Sequence, residues 1–246
     1  IPSRSELGKE VRTLFIPDKM YRLGVLDFSQ IELRLIAHFS KDKIMLKAFK
    51  EGVDIHEQTA KGIYDTQSPT QEQRFIGKTC NFSISFGAGP KRLAQTINQA
   101  GLGVKVSEEE TKKILDSFNK LYSQIHAWKR GVWYYVRHTG SIKTLLGRVI
   151  PIKGFNSSWR EEAQAERDSI SYLIQGSAAD IMKKCIIDLY VNYPTLRIIS
   201  TIHDELLVEL SNKDDLSDIK NTMESVVDLS VPLEVDAKEC LSWGEK

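Results

Sequence analysis

The feature that most constrains the fold is an acidic residue at the end of an apolar run near the start of the chain. Residues 23–26 form a short apolar run, which predicts a buried strand, and the run ends at Asp27. From Gln30 onward the apolar residues recur with helical spacing. We therefore predict that Asp27 lies at a strand-to-helix junction, which is a common position for functional side chains.

A second acidic segment lies near the other end of the chain. Residues 197–202 and 206–210 are rich in β-prone side chains, and His203, Asp204 and Glu205 lie between them. This pattern predicts a β-hairpin with an acidic tip.

Asp27 and Asp204 are the first candidates for a functional site. An unpaired carboxylate beside a buried strand is costly, and two carboxylates brought together repel each other, so a cation is expected between them. Mg²⁺ prefers oxygen ligands, and a pair of such ions promotes phosphoryl transfer. A helix cap at Asp27 and a hairpin turn at Asp204 remain equally good explanations of the spacing alone.

The region between the two acidic segments is predicted to be mostly helical. The predicted elements are a helix from Ser107 towards Lys120, helices over residues 159–175 and 177–190, a small hairpin near Gly140 and Gly147, and an edge strand over residues 231–235. The order is a strand, a long helical insertion and further strands, which predicts an α+β fold.

A basic and aromatic pattern marks one of these helices. Arg74, Lys78, Phe82 and Phe86 recur every four residues, so a helix places them along one side. The two cations suit phosphate oxygens, and the two rings suit a base or a sugar. An amphipathic helix with two core phenylalanines and two solvated cations is the alternative that the pattern leaves open.

Composition excludes several other classes of protein. The chain of 246 residues is 41% hydrophobic and has a net charge of +1, so it can form a core but has no global basic field for nucleic acid. Its three distant cysteines support neither a disulfide framework nor a zinc ribbon. The thiols are typical of an intracellular protein, which predicts a location in the cytoplasm or nucleoid and leaves an organelle or a virus-infected cell open. We find no apolar segment long enough to span a membrane and no signal peptide.

Six ordered segments resemble the motifs of the family A DNA polymerases. LDFSQIELRLIAHFS (26–40) resembles motif A, RFIGKTCNFSISFG (74–87) motif B and TIHDELLVEL (201–210) motif C. DIHEQTA (54–60), TLLGR (144–148) and AERDSISYLIQGSAADI (165–181) fit between them in family order.

The resemblance implies an antiparallel β-sheet palm with a large helical fingers insertion, a right-hand polymerase fold that lacks most of the thumb. Residues 1–40 and 151–246 would form the palm, and residues 41–150 the fingers. The implied partners are primer-template DNA, a dNTP and a separate segment bearing the thumb or exonuclease, with no membrane. A DNA-binding fragment inactive without that segment, and a two-metal nuclease, are the competing interpretations.

The resemblance also implies roles for individual residues. Two Mg²⁺ ions, for which Mn²⁺ can substitute, would be bound by Asp27, the Phe28 carbonyl, Asp204 and Glu205. The nucleotide would contact Gln30, Glu32, His56, Arg74, Lys78, Phe82 and Phe86, and the DNA would contact Arg148, Arg167, Gln175 and His203. Asp27, Asp204, Glu205 and Lys78 would be catalytic, with Lys78 protonating the departing pyrophosphate. Glu32 would exclude a 2′-hydroxyl.

The sequence departs from the family pattern near the sugar and the minor groove. Phe86 stands where the family usually has Tyr, which removes a hydrogen-bond partner of Glu32. Ser171 replaces a usual Asn and Thr201 a usual Gln, so two minor-groove contacts are shortened or lost. Phe82 belongs to the branch of the family that discriminates against dideoxynucleotides.

Overall fold

The computed structural model describes residues 5–83, 86–100, 103–155 and 157–245. The chain divides into two compact units. The sheet unit comprises Ile1–Ile31, Ala178–Asp228 and Leu233–Lys246, and the helical unit comprises Glu32–Ser177 and Leu229–Pro232. The functional division into palm and fingers at residues 40 and 150 stays a prediction.

The described elements follow one another along the chain as α1 (Glu6–Thr13), β1 (Arg22–Phe28), α2 (Ile31–Ser40), α3 (Lys43–Lys50), α4 (Ile55–Tyr64), α5 (Gln71–Ser83), α6 (Pro90–Gln99), α7 (Glu108–Leu121), α8 (Ser123–Thr139), β2 (Ser141–Lys143), β3 (Val149–Pro151), α9 (Trp159–Asn192), β4 (Arg197–Ile202), β5 (Glu205–Leu210), α10 (Leu216–Glu224), β6 (Val235–Cys240) and a 3₁₀ turn (Trp243–Glu245). The α+β prediction is confirmed.

The sheet unit contains a four-stranded sheet in the order β4-β5-β1-β6, and each neighbouring pair is antiparallel. The two central strands supply most of the buried face, since all six residues of β5 are buried. In β1, Gly24 allows close packing, because a Cβ there would lie 2.9 Å from Cγ2 of Val208. The predicted first strand and the predicted acidic hairpin are both confirmed.

The predicted edge strand over residues 231–235 is wrong in position. The edge strand β6 begins only at Val235 and runs to Cys240. Pro232 has no N–H for a strand ladder, and its carbonyl oxygen accepts a hydrogen bond from the Arg34 guanidinium at 2.6 Å. The Pro232 carbonyl is therefore bound by a side chain and does not take part in a strand ladder.

The predicted break between two helices near residue 176 is also wrong. A single helix, α9, runs for 34 residues through this position. Gly176 serves close packing, because a Cβ there would lie 2.9 Å from Cγ2 of Thr144. The glycine thus lets the small β2–β3 hairpin approach α9, and it does not end the helix.

The helical unit is built around the packing of α4 on α5. A Cβ on Gly77 of α5 would lie 2.5 Å from the carbonyl oxygen of His56 on α4, so only glycine permits this approach. Helix α5 ends at Ser83, whose carbonyl accepts from the backbone N–H of Ala88 at 2.8 Å, and Gly87 has a φ of 86°. Residues 84–85, which the predicted helix also included, lie outside the described residues. Phe86 is assigned to a turn, and its backbone N–H lies 3.3 Å from the carbonyl oxygen of Phe82.

Other local predictions are confirmed. Ser107 and Glu110 form a reciprocal capping box at the start of α7. The three cysteines, all in described parts of the chain, are free thiols. Across the ranges that the structure describes, no helix combines the length and apolarity needed to cross a membrane.

Candidate active site

The two predicted catalytic aspartates lie at adjacent strand ends of the sheet unit. Asp27 on β1 is directly opposite Glu205, the first residue of β5. The next residue, Phe28, donates its backbone N–H to the carbonyl oxygen of Asp204 at 3.0 Å. This hydrogen bond shows that the hairpin between β4 and β5 brings Asp204 beside the end of β1. The side chains of Asp27 and Asp204 are half-buried.

Glu205 has a different environment from the two aspartates. Its side chain is buried, and its Oε1 accepts a hydrogen bond from the indole Nε1 of Trp243 at 2.6 Å. The indole also contacts Phe15 edge to face, with ring centroids 5.4 Å apart. Nothing in the local sequence around Glu205 indicates this contact, because Trp243 lies 38 residues further along the chain.

The oxygen atoms at this end of the central strands fit a hard divalent cation. Asp27, Asp204 and the Phe28 carbonyl offer oxygen atoms, which Mg²⁺ prefers over nitrogen or sulfur. No group of three His, Cys, Asp or Glu side chains that could hold a metal is found within the described ranges. A magnesium site that uses one or two carboxylates and completes its shell with water and substrate phosphates needs no such group.

Two residues near the aspartates have left-handed backbone conformations. Gln30 has a φ of 53° and His203 a φ of 59°. The Oε1 atom of Gln30 is buried and has no hydrogen-bond partner. Among the described residues, no other buried side-chain nitrogen or oxygen lacks a partner. Backbone strain of this kind often accompanies a functional site. The predicted nucleotide contact of Gln30 stays a prediction.

The cationic part of α5 forms a second cluster, in the helical unit. Arg74, Lys78 and Phe82 are spaced by four residues within one helix, so they lie along the same side. Lys78 is exposed, and Arg74 and Phe82 are half-buried. The Arg74 guanidinium makes two contacts with Oδ2 of Asp54, from Nε at 2.8 Å and from Nη2 at 2.6 Å.

Asp54 was not singled out by the sequence pattern, although it organises this cluster. It caps α4 by accepting from the backbone N–H groups of His56 and Glu57. Burial raises the pKa of Asp54, but the hydrogen bonds from Arg74 and from the two backbone groups outweigh burial and leave it below 3.8. The carboxylate is therefore ionised at neutral pH and holds the Arg74 side chain against α4.

His56 lies within the same cluster and is buried. Its ring centroid is 5.9 Å from that of Phe82, and its Nδ1 is 3.0 Å from Nδ2 of Asn81. Burial lowers the pKa of His56 to about 4, with Asp54 opposing and Lys78 reinforcing that shift. The imidazole is therefore neutral at pH 7.

The two residues predicted to sense the sugar lie in the helical unit. Glu32 is in the first turn of α2 and is half-buried. Phe86 is half-buried in the turn that follows α5, with its backbone N–H 3.3 Å from the carbonyl oxygen of Phe82.

The predicted DNA-contacting residues are all exposed. In the helical unit, Arg148 donates from Nη2 to the carbonyl oxygen of Gly176 at 3.0 Å, and Arg167 donates to Oε1 of Gln164 at 2.6 Å. Gln175 lies inside α9 and does not cap a following helix. In the sheet unit, His203 is at the tip of the β4–β5 hairpin.

Comparison with known proteins assigns the chain to a family. Residues 1–245 match the family model described as DNA polymerase family A. The chain therefore belongs to DNA polymerase family A, a family that generally uses divalent metal ions.

Two bacterial DNA polymerases I show how similar the chain is to its relatives. The chain is 37% identical to DNA polymerase I of Caldicellulosiruptor bescii, with 100% of this chain and 29% of the relative covered. It is 33% identical to the thermostable DNA polymerase I of Thermus thermophilus, with coverages of 99% and 29%. The chain thus spans less than a third of the length of these curated relatives.

A solved structure supports the same assignment of the fold. The POL domain of Pol1 from M. smegmatis, in complex with DNA primer-template and dNTP, superposes with a TM-score of 0.89 at 30% identity. The match covers 99% of this chain and 44% of that one.

Proposed function

We propose that this chain carries out template-directed DNA synthesis, transferring a deoxynucleoside monophosphate from a dNTP to a primer 3′-hydroxyl and releasing pyrophosphate. The observation that carries the proposal is the pairing of Asp27 and Asp204 at adjacent strand ends, through the 3.0 Å hydrogen bond between Phe28 and Asp204, in a member of family A. The solved relative whose structure was determined with DNA primer-template and dNTP supports the same pair of substrates.

Asp27, Asp204 and the Phe28 carbonyl are the groups that would hold two Mg²⁺ ions, with Mn²⁺ as a substitute. Such ions, when bound, would lower the pKa of the primer 3′-hydroxyl and neutralise charge on the phosphates. The carboxylates would orient the reacting oxygens, because Asp27 lies on a strand fixed by the sheet and the carbonyl of Asp204 is hydrogen-bonded to the end of that strand.

The exposed and half-buried cations of α5 would bind the triphosphate. Arg74 offers a planar fork of donors and Lys78 a mobile point charge, and both suit phosphate oxygens. Lys78 would also give a proton to the departing pyrophosphate, since an ammonium group beside the leaving oxygen can act as a general acid. Phe82 would pack on the sugar and base of the nucleotide.

The remaining predicted contacts would confer selectivity. Glu32 would occupy the space that a ribose 2′-hydroxyl requires, and Gln30 would contact the nucleotide. Arg148, Arg167, Gln175 and His203 would bind the primer-template through its backbone or minor groove, where phosphate contacts supply most of the salt-sensitive affinity. An intracellular location with the DNA belongs to the same proposal.

Primer extension tests the proposal. The chain is incubated with a labelled primer-template, Mg²⁺ and one dNTP at a time. We expect extension only by the nucleotide complementary to the template, and none after chelation of the metal. The substitution Asp27→Asn should lower the rate by a factor on the order of 10³ or more, because it removes a charged metal ligand.

Asp236→Asn provides the matched control. Asp236 lies directly opposite Asp27 on β6 and is exposed, so the same substitution is made at the same level of the sheet. We expect this variant to extend primers at nearly the wild-type rate. Extension that persists in Asp27→Asn, or that needs no divalent ion, would contradict the proposal.

A second candidate function is DNA binding without synthesis by this chain alone. It is favoured by the small share of the curated relatives that the chain covers, 29% for two of them. Binding of primer-template without extension, followed by extension when a thumb-bearing segment is added, would favour this candidate over independent synthesis.

A further inference from the structure

His56 and Asn81 are joined by a buried hydrogen bond between α4 and α5. Nδ2 of Asn81 lies 3.0 Å from Nδ1 of His56, and both side chains are buried. The direction of this bond decides which ring nitrogen carries the hydrogen in the neutral imidazole.

A second contact fixes the orientation of the Asn81 amide. Nδ2 of Asn81 also lies 3.3 Å from the carbonyl oxygen of Ile55. A carbonyl oxygen only accepts hydrogen bonds, so the amide atom that faces it must be the nitrogen. The two hydrogens of that nitrogen are then shared between the Ile55 carbonyl and the His56 ring. Nδ1 of His56 therefore accepts, and the ring hydrogen is on Nε2.

The other end of the amide agrees with this direction. The single hydrogen of the Thr59 hydroxyl has two acceptors within reach, Oδ1 of Asn81 at 2.9 Å and the Ile55 carbonyl oxygen at 2.6 Å. The Tyr122 hydroxyl lies 2.7 Å from the Thr59 hydroxyl. Oδ1 of Asn81 carries no hydrogen, so it faces the Thr59 hydroxyl as an acceptor, which agrees with an amide whose nitrogen faces His56. Buried polar contacts thus hold the amide at both of its ends, with the nitrogen towards His56.

We propose that Asn81 is a positioning residue that keeps His56 as the Nε2–H tautomer, so that Nε2 donates a hydrogen bond to an oxygen of the incoming deoxynucleoside triphosphate. The inference rests on the proposed function, because it assigns the ring a triphosphate ligand. A phosphate oxygen only accepts, so the opposite tautomer would present it with a lone pair. Burial keeps the ring neutral at pH 7 by lowering the pKa of His56 to about 4, with Asp54, Lys78 and Arg74 as the charged groups around it.

The tautomer is measured directly by long-range ¹H–¹⁵N correlation NMR on the whole chain at mildly alkaline pH, without nucleotide. We expect Nδ1 of His56 to show the shift of an unprotonated nitrogen and Nε2 that of a protonated one. His138 provides a reference for the opposite tautomer, because its Nδ1 lies 2.7 Å from the carbonyl oxygen of Tyr134. A spectrum in which His56 carries its hydrogen on Nδ1 would overturn the inference.

Asn81→Leu removes the donor with little change in volume or charge. The Thr59 hydroxyl keeps the Ile55 carbonyl oxygen, 2.6 Å away, as its acceptor in this variant, so the loss of stability is limited. We expect His56 to become a mixture of tautomers. The KM for dTTP should rise about tenfold with little change in kcat, as for the loss of one hydrogen bond to a charged ligand.

Asn98→Leu is the matched control. Asn98 is also an asparagine that binds backbone, through Val106, but it contacts no histidine in the described structure. It should change neither the tautomer of His56 nor the KM. An Asn81→Leu variant with the wild-type tautomer, or with the wild-type KM, would refute the positioning role.

The two experiments separate this inference from the proposed function. The NMR spectrum needs no catalysis, so it decides on the tautomer even if the chain extends no primer. A chain that extends primers but carries the Nδ1–H tautomer would refute the inference alone. If Asn81→Leu fails to fold, as judged by its thermal melt, the wild-type spectrum still decides.

Discussion

Asp27, Asp204 and Glu205 lie at the same end of the two central strands, but the environments of their side chains differ. Asp27 and Asp204 are half-buried, whereas Glu205 is buried and accepts a 2.6 Å hydrogen bond from the Trp243 indole. A carboxylate oxygen that is already hydrogen-bonded in a buried position is less available to a metal ion. We therefore expect the two aspartates to be the principal ligands and Glu205 to act indirectly.

Sugar discrimination gives a prediction for a single side chain. Phe86→Tyr should lower ribonucleotide incorporation about fivefold relative to deoxynucleotide incorporation, because in the proposed site the new hydroxyl would hydrogen-bond Glu32 and hold it in place. The measurement compares rNTP and dNTP extension rates of the two proteins on one primer-template. Phe118→Tyr, a buried ring change on α7, is the control and should leave the ratio unchanged. An unchanged ratio in Phe86→Tyr would contradict the idea.

The sequence pattern finds some site residues and not others. The positions of Asp27 and Asp204 could be predicted, because Asp27 directly follows a β-prone run and Asp204 lies between two such runs. Asn81 and Trp243 could not, because their partners come from other elements and no local pattern records such contacts. The role of Asn81 depends on which way its side-chain amide faces, and that of Trp243 on a hydrogen bond to Glu205, 38 residues earlier in the sequence.

At the scale of the element, the packing of α4 on α5 holds the cationic cluster together. The close approach at Gly77 puts the capping carboxylate of Asp54 within 2.6 Å of the Arg74 guanidinium. It also places Asn81 beside His56. The relative position of the two helices thus determines how the side chains proposed to bind the nucleotide are presented.

Gly77→Ala should therefore destabilise the protein by about 2 kcal/mol or more, because the new methyl group would lie 2.5 Å from a backbone carbonyl that cannot move away cheaply. It should also raise the KM for dNTP. Gly131→Ala on α8 is the matched control, because a Cβ there meets nothing within 4 Å. Alanine favours a helix, so the control should gain up to about 1 kcal/mol. Urea denaturation measures both, and equal effects would contradict the account.

The errors in predicting elements share one physical cause. Gly176 has the signal of a helix end and Val231 that of a strand, but tertiary contacts override both. Close packing against Thr144 keeps α9 continuous, and the Arg34 guanidinium takes the carbonyl of Pro232. Local signals give the type of element well, whereas its ends depend on what it packs against.

At the scale of the whole molecule, one buried histidine links stability to pH. The pKa of His56 is lowered from 6.5 to about 4 in the folded protein, so the unfolded chain binds this proton more tightly. Its contribution to stability is complete above pH 6.5 and is lost as the pH falls towards about 4. We expect a loss on the order of 2 kcal/mol over this window, after allowance for solvent screening.

Urea denaturation between pH 7 and pH 4 checks this contribution. The variant His56→Gln removes the titrating group and should flatten the dependence over that window. His126→Gln, at an exposed position on α8, serves as the control and should keep the wild-type slope. Equal slopes in the wild type and His56→Gln would show that the buried ring does not titrate as expected.

The central claim is that Asp27 and Asp204 form one metal-binding site for nucleotide addition. Single-turnover primer extension of Asp27→Asn, Asp204→Asn and the double variant tests it most directly. If the two carboxylates act as a unit, each single variant loses a factor on the order of 10³ or more, and the double variant loses little beyond that. Losses that multiply in the double variant, or a single variant within tenfold of the wild type, would contradict a shared site.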